Sequence, residues 1–316
     1  MISTLLLAAG MGTRLDPLTR LLAKPAVPLG NDTLVEHVLD WLRRQDVRDV
    51  VVNLHHLPET VAAALGDGAH LGQSIRYSWE RVVLGSAGGP RRALPLLNSD
   101  PFLIVNGDTL CDFDLQPMID AHRRSSAEVT MALVPNSEPG HYNGVLLDDH
   151  DVITGFIPRG HTIPSWHFVG VQIVNKRVFE SLEDGVPAET VAGLYRDLIQ
   201  TTPGHVRGWR VSTSFLDIGT PRDYLTAALR QPDALPRDVV VPESSSLLRC
   251  AVWPGTVIED HVRLEDSIVA GPLRVPCGLD ARAVILVPAH VARPDDRCRV
   301  HGDVAIYPLD LGHGIS

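Results

Sequence analysis

Leu5-Leu6-Leu7-Ala8-Ala9-Gly10-Met11-Gly12-Thr13-Arg14-Leu15, followed by Pro17-Leu18-Thr19 and then Lys24-Pro25, decides how this 316-residue chain is read. A short apolar strand runs into a turn with two glycines. Positive φ costs little there and no Cβ blocks an approaching group, so backbone N–H groups can converge on an anion. Arg14 and Lys24 bring positive charge to the same stretch. Without further context, a Gly-x-Gly after an apolar run serves equally well as an ordinary strand-to-helix turn. The third glycine of a dinucleotide fingerprint and the Gly-Lys-Ser/Thr ending of a P-loop are both missing, so neither of those phosphate motifs applies.

Outward from this segment, apolar runs alternate with amphipathic stretches over the first 110 residues, the pattern of β-α-β units around a mainly parallel sheet. Strands are expected at Leu5–Ala8, Val50–Leu54, Ile75–Ser78 and Phe102–Asn106. Helices are expected over Thr33–Arg44, with Asp32 as N-cap, over Pro58–Leu65, and over Arg91–Leu97. A helix around Leu115–Arg124, the strand Glu128–Val134, a hairpin from Gly144–Leu147 to Val152–Phe156, and the strand Phe168–Val174 follow. A helix around Thr190–Gln200 then leads to a strand Val211–Leu216. Two of these strands run into aspartates, Asp108 and Asp217, and ligands of open α/β sheets gather outside the carboxyl ends of the strands. An aspartate at a strand end also serves as a turn former or N-cap.

From about residue 238 the texture changes. Val240, Ser246, Val252, Ile258, Leu264 and Ala270 stand six apart, and after a slip of one residue Val275, Ala281 and Val287 continue the interval. Six-residue periodicity of small and aliphatic positions predicts a short parallel β-helix, with an irregular β-sandwich tail as the alternative. The expected organisation is a doubly wound, Rossmann-like α/β domain over 1–230, a proline-containing linker at 231–237, and a β-helix-like domain over 238–316.

Composition narrows the class. Hydrophobic residues make up 44% and charged residues 21%, and no stretch approaches the roughly 20 apolar residues of a membrane helix. A net charge of −10 argues against nucleic acid or an anionic membrane as a bulk partner. The N-terminus lacks the pattern of a signal peptide, and the four cysteines are widely spaced, so a soluble, cytoplasmic protein with free thiols is expected.

The string Gly10-x-Gly12-Thr13-Arg14-Leu15-x-Pro17-Leu18-Thr19 with Lys24-Pro25 closely resembles the signature of the sugar-1-phosphate nucleotidylyltransferases, or nucleotide-sugar pyrophosphorylases. Val105-Asn106-Gly107-Asp108 and Leu216-Asp217-Ile218-Gly219-Thr220-Pro221 resemble that family's two metal-aspartate motifs. The resemblance implies Mg2+ held by Asp108 and Asp217, Arg14 on the triphosphate, and Lys24 on the reacting phosphate. It also implies a nucleotide cradle of Leu7, Ala8, Ala9, Gly10, Met11, Gly12, Thr13 and Arg14. Leu84-Gly85-Ser86-Ala87-Gly88-Gly89 is similar to the Gly-rich loop that lies against base and ribose in the family, implying contacts from Gly85, Ser86, Ala87 and Gly88. For the sugar phosphate it implies Asn143, Gly144, Arg159 and Gly170. Here the match loosens: Phe156-Ile157-Pro158-Arg159 lacks the family's sugar-contacting glutamate, arginine stands for its phosphate-binding lysine, and Gln172 replaces a usual tyrosine.

The chemistry asks little of the protein beyond alignment. A phosphate oxygen already ionised attacks the α-phosphorus and pyrophosphate leaves, so two repelling anions must be aligned and leaving-group charge neutralised. A divalent metal at the α-phosphate needs only one or two carboxylates, because it keeps several waters. The substrates implied are a nucleoside triphosphate and a sugar 1-phosphate, with GTP and mannose 1-phosphate, or a similar sugar, favoured by the loop pattern and the repeat tail. UTP- or dTTP-dependent transfer is the rival. A non-catalytic paralogue that binds a nucleotide sugar and regulates a partner is the reading from a different class. The repeat tail either pairs subunits into a homo-oligomer or only caps the domain.

Overall fold

A computed structural model describes residues 2–231 and 235–309, and two compact units emerge. One comprises the chain up to Gly10 together with Glu36–Phe215. The other comprises Met11–Val35 and the described residues from Leu216 onward. Of the linker expected at 231–237, residues 232–234 lie outside the described residues, as do 310–316 of the expected C-terminal domain.

The first unit is built on a nine-stranded sheet: β1 (Ser3–Leu7), β2 (Asp49–Leu54), β3 (Ser74–Trp79), β4 (Phe102–Asn106), β5 (Val129–Pro135), β6 (Gly144–Leu147), β7 (Ile153–Ile157), β8 (Trp166–Val174) and β9 (Val206–Arg210). Its order is β7-β6-β8-β4-β1-β2-β3, and β5 joins β8 to β9. The centre, β3-β2-β1-β4, is parallel, with Leu5 opposite Val51 on one side and Ile104 on the other. The runs Leu5–Leu6 and Val50–Val52 are fully buried, as strands covered on both faces require. Beyond β4, the β8 strand runs antiparallel to β4, β5 and β6, and β9 returns parallel to β5. The architecture is therefore mixed α/β with a central, mainly parallel sheet. Helices Leu34–Arg44, Pro58–Leu65 and Gly85–Ala93 make the crossovers, and a core from Leu5, Val51, Phe102, Ile104, Met131, Phe179 and Tyr195 fills the space beside the sheet.

Three local expectations are corrected. Asp32 is no N-cap: Asp32–Thr33 pairs with Pro28–Leu29 as a small hairpin around Gly30 (φ +71°), and the helix starts at Leu34. The helix expected at Arg91–Leu97 starts six residues earlier, at Gly85, and ends at Ala93. Of Val211–Leu216 only the end is a strand, Phe215–Asp217, whereas the long strand is Val206–Arg210. Gly208 breaks its apolar alternation because a Cβ there would sit 2.7 Å from Leu133 and 2.9 Å from Leu147.

In the second unit, short strands stack in three parallel ladders. Ser246–Leu248, Arg263–Glu265 and Asp280–Arg282 form one ladder; Ala251–Val252, Ile268–Val269 and Val284–Pro288 form another; Val257–Ile258 and Arg274–Val275 form the third. Partners stand 17 residues apart, as Ser246 opposite Arg263 and Arg263 opposite Asp280. Val252, Ile258, Leu264 and Val275 of the six-residue series belong to the apolar core of this unit, whereas at Ala270 and Val287 the series runs one residue off, because Val252 stacks on Val269 and Leu286. Val240 and Ser246 of the same series are exposed, so the inward pattern begins later than the spacing suggested.

Candidate functional site

In the first unit the carboxyl ends of β1 and β4 meet. The Gly107 N–H donates to the Leu7 carbonyl at 2.9 Å, and a Cβ on Gly107 would stand only 2.8 Å from that oxygen. Glycine is thus required where the chain turns from Asn106 to Asp108. The Asn106 side chain in turn packs on Gly170, where a Cβ would come within 2.8 Å of it. Gly170 has φ +79° and lies where the β5–β8 register shifts between Phe168 and Gln172. Leu7, Asn106, Gly107 and Gly170 are therefore in contact at one strand-end cluster, with Asp108 next in the chain. Gln172 points into the core, where it accepts a 2.8 Å hydrogen bond from the buried Tyr195 hydroxyl.

A buried polar pair that the sequence did not single out joins two of the expected nucleotide segments. The Ala8 N–H donates to Asn53 Oδ1 at 2.7 Å, Asn53 Nδ2 donates to Glu80 Oε1 at 2.7 Å, and the Leu84 N–H donates to Glu80 Oε2 at 2.9 Å. Asn53 and Glu80 are 3% and 6% exposed, so each satisfies the other away from water. An asparagine interrupting the apolar run Val50–Leu54 is the sequence signal for this pair.

Gly85, Ser86, Ala87 and Gly88 form the first turn of the helix Gly85–Ala93 rather than a loop before it. The small residues serve close packing. A Cβ on Gly88 would sit 2.6 Å from the Val186 carbonyl, and one on Gly89 would sit 2.7 Å from Glu80. The N–H groups of Ala87 and Gly88 both donate to the Ala188 carbonyl, and the Ser86 hydroxyl donates to Glu189 at 2.6 Å. These donors are thus taken up by the segment at residues 186–190.

Asn143 and Arg159 are brought together, since Asn143 Oδ1 accepts from the Arg159 N–H at 3.0 Å. Gly144 packs on Ser165 and Ile157, leaving no room for a Cβ. Beside this turn is an aromatic group that the sequence did not reveal: the Tyr142 and His167 rings are 4.2 Å apart, and His167 stacks on Phe215 at 4.8 Å. Burial pushes the His167 imidazole down to about 4 despite its hydrogen bond with the Asn143 backbone, so the ring is neutral near pH 7.

In the second unit Gly12 adopts φ +62°, and a Cβ there would lie 2.8 Å from Thr19 Cγ2 and 3.1 Å from Lys24 Cβ. Its carbonyl accepts from the Leu15 N–H and the Thr19 hydroxyl. Gly12, Thr19 and the largely buried Lys24 are thus one tight group. Met11 is exposed, and Thr13–Leu15 is a single 3-10 turn. The Arg14 guanidinium lies against Gly219, where a Cβ would be 3.2 Å from Nη1, two residues past Asp217. Thr220 caps the helix Pro221–Ala228 reciprocally with Asp223. Asp108 and Asp217 belong to different units. Among the described residues there is no group of three or more His, Cys, Asp or Glu arranged to hold a metal.

A family described as nucleotidyl transferase matches residues 3–233. Among curated proteins, the chain is 31% identical over 228 residues to the D-glycero-alpha-D-manno-heptose 1-phosphate guanylyltransferase of Aneurinibacillus thermoaerophilus, covering 72% of this chain and 96% of that protein. It is 26% identical over 294 residues to the mannose-1-phosphate guanylyltransferase of Mycobacterium tuberculosis, covering 88% and 82% respectively. Among solved structures, HddC of Yersinia pseudotuberculosis complexed with GMP-PN superposes with a TM-score of 0.63 at 20% identity, over 72% of this chain and 98% of that one. At that identity the likeness is one of fold.

Proposed function

The chain belongs to the nucleotidyl transferase family, and on that premise we propose that it transfers a guanylyl group from GTP to mannose 1-phosphate or a similar sugar 1-phosphate, releasing pyrophosphate. The observation that carries this reading is the match over residues 3–233, together with similar curated relatives that are guanylyltransferases of manno-configured sugar phosphates by name. The Gly10–Lys24 signature lies inside that match.

In this reading an oxygen of the sugar phosphate attacks the α-phosphorus of GTP, the new P–O bond forms, and the bond to the β-phosphate oxygen breaks. Arg14 forks onto the triphosphate, and Lys24, packed behind Gly12, carries a point charge for the reacting phosphate. Leu7 to Thr13 hold the nucleotide, and the first turn from Gly85 to Gly88 lies against base and ribose through the close approach its small residues allow, its Ser86, Ala87 and Gly88 donors being bound to Ala188 and Glu189. Asn143, Gly144, Gly170 and Arg159 take the sugar phosphate, with Arg159 in the role of the absent lysine. Asp108 and Asp217 are assigned to Mg2+, which would supply charge neutralisation at the α-phosphate. Their fit rests on donor chemistry: each is a carboxylate at or just past a strand end, and one or two carboxylates suffice for an ion that keeps its waters.

The C-terminal region is assigned as a short left-handed parallel β-helix, supported by three parallel ladders with a 17-residue repeat. The domain limits at 1–230 and 238–316, a cytoplasmic location, and a β-helix that either pairs subunits into a homo-oligomer or only caps the domain complete the assignment. No helix of the described residues is long and apolar enough to cross a membrane.

Pyrophosphate release measured across GTP, UTP and dTTP, each with mannose 1-phosphate and glucose 1-phosphate, tests the substrate assignment. GTP with mannose 1-phosphate should give the highest kcat/KM, and the signal should vanish without a divalent cation. A faster reaction with UTP or dTTP would move the base assignment. Tight nucleotide-sugar binding without turnover would identify a regulatory paralogue instead.

A further inference from the structure

Residues 13–27 carry the phosphate-binding signature yet hold no long element of their own. They comprise three single 3-10 turns, Thr13–Leu15, Leu18–Arg20 and Lys24–Ala26. Such a segment has few internal backbone hydrogen bonds to fix it, so contacts from outside must set its shape.

Arg20 supplies those contacts, and its guanidinium donors are spread over six acceptor atoms on four residues. Nε donates to Asp16 Oδ1 at 2.7 Å, and Nη2 donates both to Asp16 and to Asp296 Oδ1, the latter at 2.9 Å. Nη1 donates to Asp296 Oδ2, to the Val291 carbonyl at 3.1 Å and to the Tyr307 hydroxyl at 3.2 Å. The Tyr307 hydroxyl donates to Asp296, and the Arg293 N–H does so at 2.6 Å. The Arg20 side chain is 9% exposed and that of Asp296 13%, so this is no solvated surface pair. Two further ties run the same way. The Leu21 side chain packs on Gly271, and the Trp253 indole donates to the Tyr224 hydroxyl, which donates to the Pro28 carbonyl. Everything named here lies within the second unit.

We propose that Arg20, Asp296 and Tyr307 are positioning residues for the nucleotide site: the C-terminal strands hold the Gly12–Lys24 loop in its binding shape through this buried cluster. The inference rests on the nucleotidyl transfer proposed above for its consequence, but not for its structural content. Arg20 touches no reacting atom in this account. It closes the turn from Asp16 and anchors it to the strand Val304–Pro308 and the segment before it.

The test uses the full-length protein with Asp296→Asn and, separately, Tyr307→Phe, followed by amide hydrogen exchange and steady-state kinetics with GTP. Asp296→Asn should speed exchange over residues 12–24 about tenfold, the consequence of losing one charge-assisted pair. Exchange in β1 and β4 should not change. The KM for GTP should rise about tenfold, whereas the KM for the sugar phosphate should stay within twofold. Tyr307→Phe should show the same pattern more weakly, and it serves as the test if Asp296→Asn does not fold. Unchanged exchange over 12–24 in both variants would overturn the proposal, because the loop would then hold itself. Faster exchange with an unchanged GTP KM would overturn the positioning role while leaving the transferase reading intact. Exchange needs no turnover, so failure of that reading alone would still leave the brace measurable.

Discussion

At Asn53 a single side chain fixes two segments that the sequence treats separately. Its oxygen holds the Ala8 amide and its nitrogen holds Glu80, whose other oxygen holds the Leu84 amide. Asn53→Ala leaves the Ala8 donor and the buried Glu80 carboxylate each short of a partner. That should cost about 1–3 kcal/mol of stability and raise the KM for the triphosphate. Thermal denaturation and steady-state kinetics on the purified variant check both, and a wild-type KM would remove the pair from the nucleotide site. The resemblance named the glycines and charges around this pair but passed over the pair itself. Motifs record groups that touch a ligand, whereas Asn53 acts one bond further back, inside the sheet. Gly12 was legible as a turn glycine from its neighbours alone. The reason it cannot be replaced, Thr19 and Lys24 packed against its Cα, needed the structure.

At the scale of elements, the parallel core strands were readable because burial on both faces gives continuous apolar runs, as in Val50–Val52. The strand Val206–Arg210 was not, because Arg207, Gly208 and Arg210 leave it no apolar run, and close packing on Leu133 demands that glycine. The first turn of the helix Gly85–Ala93 was read as a loop ahead of a helix at Arg91–Leu97 for a related reason. Its glycines lower helix propensity, and only tertiary contacts with Val186 and Ala188 reveal why they are there. The aromatic group formed by Tyr142, His167 and Phe215 joins three separate segments and so left no local signature. It does set a pH dependence. His167 titrates near 4 in the fold and near 6.5 when unfolded, because burial disfavours the cation. The unfolded chain therefore binds more protons between those values. Stability from this group is complete above about pH 6.5 and falls as pH drops towards 4, by at most about 1.4 kcal/mol per pH unit. His122, also pushed down by burial, acts in the same direction. Melting temperature should decline from pH 7 to pH 5, and His167→Phe should flatten part of that decline. An identical profile in the variant would mean that His167 does not titrate as its burial requires.

For the whole molecule, the division into compact units cuts across the order of the chain. Met11–Val35 groups with the described residues from Leu216 onward, whereas the strand Ser3–Leu7 that precedes it belongs to the first unit. No periodicity could announce this, because it depends on side chains such as Arg20 and Tyr224 meeting partners more than 190 residues away. The family, by contrast, was legible from the first thirty residues. Gly10 to Lys24 form a short string that resembles a family signature residue by residue and lies inside the family match, and the two aspartates stand at or just past strand ends, Asp108 beyond Phe102–Asn106 of the nine-stranded sheet and Asp217 closing the separate short strand Phe215–Asp217. The sugar-reading half was less legible, since Pro158-Arg159 departs from the expected element and Arg159 is tied to Asn143 through its backbone alone among the hydrogen bonds described.

The central claim is that this chain makes a nucleotide sugar, and product formation tests it most directly. Purified protein given GTP, mannose 1-phosphate and Mg2+ should yield GDP-mannose and pyrophosphate in equal amounts, resolved by anion-exchange chromatography and catalysed over many turnovers. GTP consumed without any GDP-sugar, or no consumption of GTP, UTP or dTTP with any sugar 1-phosphate, would contradict it.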